Sequence, residues 1–424
     1  MDYDLIIVGG GIVGLATAFR FLEARPKTRI LLMEKESKLA SHQTGNNSGV
    51  LHSGLYYKPG SEKAKLSVNG LQQMVAFCRE QGIAHEQCGK IVVATNETEL
   101  PWLENLWQRG NANGLLGLRK LKPEQIREIK PHAAGIAAIY VPQEGIVDYP
   151  GVCEKLGELI RKQGGRICLN TRLLRFIPDS GRWIAETSAG EFSSRFVVTC
   201  GGLYSDRLVR ATGQKPAARI IPFRGEYYRI KKERQHLVRN LIYPVPDPGF
   251  PFLGVHFTRL IHGGVEAGPN AVLAFAREGY HKTDLNPRDL YDALSFPGLW
   301  RFLNHHRRMC WEEMKKSFSR RLFCRALQRL VPDIRVQDLE HGGAGVRAQA
   351  MSPQGELIHD FSLVRRPRIL HVLNAPSPAA TAALAIGGEI AEYVAGGVDG
   401  GLGNPTHSIA SLAADRPLEK KETA

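Results

Sequence analysis

No stretch of the 424-residue chain is apolar for the roughly 20 residues that a membrane-spanning helix requires. The opening Met-Asp-Tyr-Asp is acidic where a secretory signal would carry cations, so the expected address is cytoplasmic. Cysteine is scarce and scattered: the seven residues Cys78, Cys88, Cys153, Cys168, Cys200, Cys310 and Cys324 include no pair at two-residue spacing. That pattern excludes a zinc ribbon, a dithiol redox motif and an iron–sulfur cluster, and the thiols read as reduced and mostly interior. No internal repeat is visible. Acidic residues are also in deficit, 42 against 56 Lys and Arg, for a net charge of +14. Such a balance suits a negative partner, whether nucleic acid, an anionic membrane surface or an acidic small molecule.

The amino-terminal end carries the clearest local pattern. An apolar run, Tyr3–Val8, meets Gly9-Gly10-Gly11-Ile12-Val13-Gly14 before a helical pattern through Glu23, and a second apolar run, Arg29–Met33, ends at Glu34. This is a β-α-β unit with a dinucleotide fingerprint in its full context. Gly9 permits the tight turn, Gly11 lets the backbone approach a pyrophosphate, and Gly14 lets the helix pack on the sheet. The phosphates would meet the positive end of the helix dipole and its free N–H groups at Ile12 and Val13. Glu34 would accept from a ribose diol, and its charge disfavours a 2′-phosphate, which argues against NADP.

Beyond Glu34 the chain departs from nicotinamide enzymes. Instead of further β-α units it has a Gly/Ser/Asn-rich loop, Ser41–Gly54, too poor in apolar residues for a core strand. At its far end a strand, Ile369–Leu373, leads through Asn374-Ala375-Pro376-Ser377-Pro378 into a helix expected over Ala379–Val394, with Ser377 as its cap and Pro378 in its first turn. The positive end of such a helix suits the N1–C2=O edge of a flavin ring, which becomes negative on reduction, and so favours FAD.

The fold class expected is α/β: a discontinuous Rossmann-like FAD-binding domain over 1–84, 148–216 and 335–398, with an inserted α+β domain on a mixed or antiparallel sheet over 85–147 and 217–334. Short strand patterns such as Lys90–Ala94 and Ala138–Val141, and the alternation through 217–276, supply that insertion. The Gly-rich and then charged stretch 399–424 is expected to be a disordered tail. A dense basic run, 301–330, carries Trp311, Met314, Phe318 and Leu322 at helical spacing, as well as Phe323, Leu327 and Leu330. It reads as a basic amphipathic helix, which either packs on its own domain with a solvated charged face or lies on anionic lipid. Its aromatics fall on the apolar stripe, where they serve packing better than base stacking, so no nucleic-acid partner is expected.

Several longer motifs carry a resemblance. They are His42-Gln43-Thr44-Gly45, the run Asn47 to Tyr57, Pro222-Phe223-Arg224-Gly225-Glu226-Tyr227, Phe252 to Arg259, Gly268-Pro269-Asn270-Ala271-Val272, Ala344-Gly345-Val346-Arg347-Ala348-Gln349, and Asn374 to Thr381. Together they resemble the FAD-dependent D-amino-acid-oxidase-like superfamily, and within it the L-2-hydroxyglutarate oxidase/dehydrogenase group, over nearly the whole chain to about residue 395. One departure is His262-Gly263-Gly264, where the group's pattern has an acidic residue before the glycine.

The resemblance implies FAD-dependent oxidation of L-2-hydroxyglutarate to 2-oxoglutarate by hydride transfer to flavin N5, with a base taking the hydroxyl proton. His52 is the first candidate base and His256 the second. Arg347 would bind the C1 carboxylate, Arg224 or Arg259 the distal one, and Tyr56, Tyr57 and Lys63 would line the same pocket. FAD would be held by Gly9, Gly11, Ile12, Val13, Gly14, Glu34, Lys35, Ser41, Thr44, Asn47, Ser48, Gly49, Val50, Leu173, Gly201, Gly202, Pro376, Ser377, Ala379, Ala380 and Thr381; no metal is implied. The electrons would pass to oxygen or, with the basic run 301–330 docked on the inner face of the cytoplasmic membrane, to a quinone. Two other readings stand beside this one: an amino-acid or amine oxidase on the same scaffold, and a flavin-containing RNA- or membrane-docking module.

Overall fold

Residues 5–8 and Ile30–Met33 are continuously apolar, a pattern that fits strands covered on both faces of a parallel sheet. In the computed structural model, which describes residues 2–250 and 252–398, they pair in parallel, and Asp2–Val8 takes Gly190–Thr199 as its other parallel neighbour. The order across this eight-stranded sheet is Leu173–Asp179, Arg182–Thr187, Gly190–Thr199, Asp2–Val8, Ile30–Met33 and Arg166–Cys168; Ile369–Asn374 also pairs with Gly190–Thr199 and carries Ser362–Arg366. The helix Ile12–Ala24 packs on this sheet together with Tyr149–Lys162 and Ala383–Val398, in one core that includes Leu15, Phe19, Leu156 and Ile386.

A second, nine-stranded sheet runs Val272–Leu273, Arg219–Ile230, Val265–Gly268, His256–Arg259, Leu241–Pro244, Lys90–Ala94, Ala137–Val141 and Arg119–Leu121. It is mixed: Leu241–Pro244 and Lys90–Ala94 are parallel, and the other pairs antiparallel. Leu339–Met351 pairs along Arg219–Ile230 and so belongs to this sheet, which places the return to the first sheet at Ser362, later than the expected 335. Its glycine-rich start, His-Gly-Gly-Ala-Gly, has no strand propensity of its own, and the long neighbouring strand imposes the conformation. The α/β architecture expected, a Rossmann-like unit beside a unit built on a mixed sheet, is the one formed.

Three local expectations are corrected. The stretch 41–54 is not all loop, since Val50–Leu51 pairs with Gly145–Val147 in a small sheet completed by His85–Glu86. The carboxy-terminal helix begins at Ala383 rather than Ala379, and Ser377 is not its cap. Residues 377–382 form a tight turn, in which the Ala379 N–H donates to Pro376 O and the Ala382 N–H to Pro378 O, both at 3.0 Å. The basic run is three helices, Pro297–His305, Arg307–Phe318 and Arg320–Gln328, the last capped by Ser319 Oγ. Phe323, Leu327 and Leu330 are buried against Tyr228 and Ile230, whereas Trp311, Met314 and Phe318 face outward. The expected tail, 399–424, lies outside the described residues.

The two helices from opposite ends of the chain approach closely, and a Cβ added at Gly387 would lie 2.6 Å from the Ala16 carbonyl carbon. Backbone cannot yield as a side chain would, so Gly387→Leu is expected to lower stability by about 1–3 kcal/mol or more. Urea unfolding of the purified protein measures this, and an unchanged midpoint would mean that the two helices do not pack as described.

Candidate active site

A cavity of about 1180 Å³ is lined from the glycine turn through the 41–52 loop to the second sheet and the 374–381 segment. At the amino-terminal turn the three glycines do different things. Gly9 has φ +115° and Gly14 faces the Gly9 carbonyl, with added Cβ atoms falling 2.3 Å from Cys200 O and 2.1 Å from Gly9 O respectively, so both are demanded by packing. At Gly11 a Cβ would meet only Thr44 Oγ1, at 3.4 Å, and the residue lines the cavity, open to an approaching ligand. The helix that starts at Ile12 has no acidic residue in its first turn, so the positive end of its dipole is not offset locally. Thr44 Oγ1 accepts from the Ile12 N–H at 3.2 Å, which fixes the loop against that helix end.

Glu34 is oriented by backbone donors, accepting from Gly10 N–H at 2.7 Å and Glu36 N–H at 2.9 Å, and it also faces the cavity. Lys35 is enclosed by Glu36, Glu278 and the His42 ring. Burial pulls its ammonium pKa down, but those two carboxylates hold it above the ordinary value. Glu36, His42 and Glu278 have the spacing of metal ligands, and the Lys35 ammonium lies among them. Ile12, Val13, Ser41, Thr44, Asn47, Ser48, Val50, Leu173, Gly201, Gly202, Pro376, Ser377, Ala379, Ala380 and Thr381 line the same cavity, whereas Gly14 and Gly49 do not.

Thr381 ties the two ends of the chain together. Its Oγ1 accepts from the His52 N–H at 3.2 Å, a half-buried contact, and, fully buried, donates to Val50 O at 3.3 Å and lies 2.7 Å from the Tyr149 hydroxyl. Thereby His52 is held beside the carboxy-terminal turn. His52, His256, Arg347 and Lys63 all line the cavity. Burial pushes the His52 imidazole down to about 4, with Glu144 opposing and Lys90 adding to the shift. His256 is pushed down to about 3 by burial, against the opposing hydrogen bond between its Nδ1 and the Gly254 carbonyl; its ring stacks on Tyr243 at 3.9 Å. Both rings are neutral at physiological pH and available as bases.

Arginine placement corrects two expectations. Arg347 donates to the Asn270 carbonyl at 3.1 Å and lies over the Phe252 ring, and among the described residues it has no carboxylate partner. Arg224 points to the other face of its strand, buried and paired with Glu226 at 3.0 Å. Arg259 pairs with Glu86 at 2.5 Å and donates to Asn240 Oδ1 at 2.9 Å. Neither lines the cavity, and both guanidinium charges are already matched, so the expected distal-carboxylate role falls away from them. Tyr56 and Tyr57 also lie behind the cavity wall: the Lys90 ammonium sits 4.5 Å over the Tyr56 ring, and Lys63 lies 4.7 Å over that of Tyr57. Lys63 donates to the His359 carbonyl at 2.7 Å; burial lowers its pKa to about 8, with Asp360 opposing.

Sequence reasoning missed Lys90, Glu144, Tyr149, Tyr227 and Tyr243. Lys90 and Glu144 are both 0 % exposed and ion-paired directly behind His52. The available signal was a lone charge heading an otherwise apolar strand, Lys-Ile-Val-Val-Ala, and a lone acid in the turn before Gly145–Val147.

Residues 4–393 match the family model described as FAD dependent oxidoreductase. The chain belongs to that family. An L-2-hydroxyglutarate dehydrogenase of Indibacter alkaliphilus is 50 % identical over 394 residues, covering 93 % of this chain and 99 % of its own length. One from Escherichia coli K12 is 44 % identical, covering 92 % and 93 %. Among solved structures, an L-alpha-glycerophosphate oxidase of Mycoplasma pneumoniae with FAD bound superposes with a TM-score of 0.77 at 21 % identity, covering 93 % of this chain and 94 % of that one, a likeness of fold. FAD is the cofactor of this FAD dependent oxidoreductase, and the residues fit it: the open backbone at Gly11, the positive helix end with no acidic residue in its first turn, although the Ile12 N–H itself is taken by Thr44 Oγ1 rather than free as expected, and the pre-oriented Glu34 carboxylate offer what a pyrophosphate and a ribose need.

Replacing Thr381 by valine keeps its shape but leaves the His52 N–H without its acceptor. The expected loss is about 1–3 kcal/mol in thermal or denaturant unfolding of the FAD-loaded protein. Stability equal to wild type would mean that the tie between the 50–52 strand and the carboxy-terminal turn is not made.

Proposed function

We propose that this chain is an L-2-hydroxyglutarate dehydrogenase, which removes two electrons from the Cα–OH of the substrate to form 2-oxoglutarate. The observation that carries this reading is a pair of uncompensated cations in a cavity with a neutral imidazole. Of the lining cations that are not exposed, Lys35, Arg207 and Arg210 are paired with carboxylates, while among the described residues Arg347 and Lys63 have none within ion-pair distance. A dicarboxylate supplies two anions. FAD, when bound, supplies the acceptor for the Cα hydride.

Arg347 binds the C1 carboxylate through its guanidinium fork, and Lys63 takes the distal carboxylate in place of Arg224 and Arg259. His52 receives the hydroxyl proton, so that the C–O bond becomes C=O as the hydride leaves. Tyr227, Tyr243, Phe252 and His256 close the cavity around the reacting carbon and limit water. The glycine turn, Glu34 and the 44–50 loop hold the dinucleotide. The activity by which the Indibacter alkaliphilus and Escherichia coli relatives are named supports the choice of a hydroxy acid over an amino acid.

Anaerobic mixing with each enantiomer of 2-hydroxyglutarate, glycine and D-alanine tests the assignment: the L hydroxy acid alone is expected to bleach the flavin absorbance. Bleaching by an amino acid and not by the hydroxy acid would overturn it. Arg347→Met is expected to lower kcat/KM by about a hundredfold or more, as loss of a charged, desolvated carboxylate contact does. The pH profile follows from the two shifts. His52 must be neutral, so kcat/KM stays level through mildly acidic pH and falls as pH drops towards about 4. Lys63 must be charged, so kcat/KM falls as pH rises above about 8, and Lys63→Met removes that alkaline limb.

For the electron acceptor we propose a quinone reached at an anionic membrane surface. The helices Pro287–Leu294, Pro297–His305 and Arg307–Phe318 expose Tyr291, Trp300, Trp311, Met314 and Phe318, the last at 81 %, among exposed Arg301, Arg307 and Arg308. Large outward aromatics flanked by cations suit the headgroup region of anionic lipid. Among the described residues no helix is long and apolar enough to cross a membrane, so the contact proposed is peripheral. Co-sedimentation with phosphatidylglycerol vesicles at low salt, reduced by Trp311→Ser with Phe318→Ser and by added salt, is the expected result. Equal sedimentation with neutral vesicles, or none with either, would remove this part of the proposal.

A further inference from the structure

Behind His52 lies a charge pair that nothing in the reaction touches directly. Glu144 and Lys90 are fully buried and ion-paired through Glu144 Oε2. Glu144 Oε1 accepts from the Ser53 N–H at 3.1 Å and from Ser53 Oγ at 2.7 Å, so the carboxylate cannot swing away. Its Oε2 is 3.9 Å from His52 Nδ1, and that nitrogen is buried without a hydrogen-bond partner. The ammonium of Lys90 in turn sits between the rings of Tyr56 at 4.5 Å and Tyr243 at 4.8 Å, and Tyr243 stacks on His256. A buried pair of this kind is weak evidence for stability, since two apolar residues of similar volume often serve as well. Its place beside a candidate base calls for another account.

We propose that Glu144, balanced by Lys90, is a positioning residue for His52: it accepts a hydrogen bond from Nδ1–H, which leaves Nε2 unprotonated for the substrate, and it stabilises the ring once Nε2 has taken the hydroxyl proton. The inference rests on the assignment of His52 as the base made above. At 3.9 Å the two atoms lie beyond hydrogen-bond length, and catalytic hydrogen bonds that are long in a free enzyme tighten once substrate is bound. Lys90 has the complementary task in the resting state. It matches the Glu144 charge when His52 is neutral, so the carboxylate stays ionised: burial raises its pKa, but Lys90 and the Ser53 hydrogen bond hold it below the ordinary value. The titratable groups whose charge bears on His52 are Glu144, Lys90 and His256, and of these only Glu144 carries a negative charge at neutral pH.

The test uses the FAD-loaded full chain with 15N-labelled histidine, the His52 signals being assigned by their absence in His52→Gln. In wild type the signals are expected to be those of a neutral ring protonated at Nδ1. In Glu144→Gln, which can still accept from Ser53, that tautomer is expected to give way to a mixture, and anaerobic flavin reduction by L-2-hydroxyglutarate to slow by about a hundredfold, the low end of what a positioned acid–base group contributes. The same substitution in a His52→Gln background is expected to slow reduction no further, because both changes act through one ring. Lys90→Met with Glu144→Gln supplies a neutral pair of similar volume should the single variant not fold, and it too is expected to lose the Nδ1-protonated tautomer. An unchanged tautomer in either variant, or rate losses that multiply in the His52→Gln background, would overturn the proposal. A wild-type protein that shows the tautomer and its loss in Glu144→Gln, but is not reduced by L-2-hydroxyglutarate, supports the pairing while removing the substrate assignment.

Discussion

The contact between the helix Ile12–Ala24 and the helix Ala383–Val398 is the constraint on which the cavity depends. Ala16 and Gly387 bring two backbones together with no room for a side chain between them. The core around them, Leu15, Phe19, Leu384 and Ile386, is buried on both sides. Because the second helix starts only at Ala383, fixing it fixes the tight turn 377–382 ahead of it, and Thr381 in that turn then holds the His52 backbone. Segments 329 residues apart in sequence thus meet at one hydroxyl. The first helix meanwhile aims its amino-terminal end into the same cavity. One packing contact therefore sets both the helix end that faces the cavity and the wall that carries the histidine.

Charge is distributed across the interior in a way that separates structure from chemistry. Arg277 is buried against Asp206 and Asp292, Arg224 against Glu226, and Lys90 against Glu144, each cation with a carboxylate at hand. Leaving such a charge unpaired would be strongly destabilising, so pairing is the rule, although Lys130, fully buried, has no carboxylate in ion-pair distance among the described residues and its pKa is lowered by burial to about 8. Arg347 departs from it: burial lowers its pKa, and only Tyr227 and Glu313 oppose that shift, at a distance. A cation kept partly desolvated without a counter-ion stores an attraction for an anion that arrives from outside. The neutral histidines beside it add no competing negative charge.

Much of this was legible in the sequence where local chemistry and geometry coincide. Gly9, Gly11, Gly14 and Glu34 could be placed because each answers a backbone requirement of the β-α-β turn, and Lys90–Ala94 because a short apolar run bounded by polar residues has few alternatives. The strand Leu339–Met351 and the start of the carboxy-terminal helix were not, for opposite reasons. In the first, pairing with a long partner overrides a glycine-rich sequence; in the second, an Ala-rich stretch of high helix propensity is spent in a turn that carries Thr381. The basic run misled in a different way. Helical spacing was present, yet the breaks at His306 and Ser319 turned one stripe inward and left the other exposed, and periodicity alone cannot say which of two apolar faces meets the core.

The choice among arginines shows most plainly where sequence stops. Arg224 and Arg347 both lie in motifs that carry the family resemblance, Arg347 expected at the C1 carboxylate and Arg224, or Arg259, at the distal one, and no composition or spacing says which side chains face the cavity. Strand register does. Phe223 pairs with Arg347, so those side chains share a face, and Phe252 packs against both. Arg224 pairs with Val346 and shares its face with Glu226, two residues along. Side chains alternate with a period of two, so a slip of one residue between these strands would exchange the two faces. The antiparallel register between Arg219–Ile230 and Leu339–Met351 extends along most of both strands, and each further pair makes a slip more costly. Which arginine faces the cavity is thus decided by the length of a strand pairing rather than by any feature of the arginine itself.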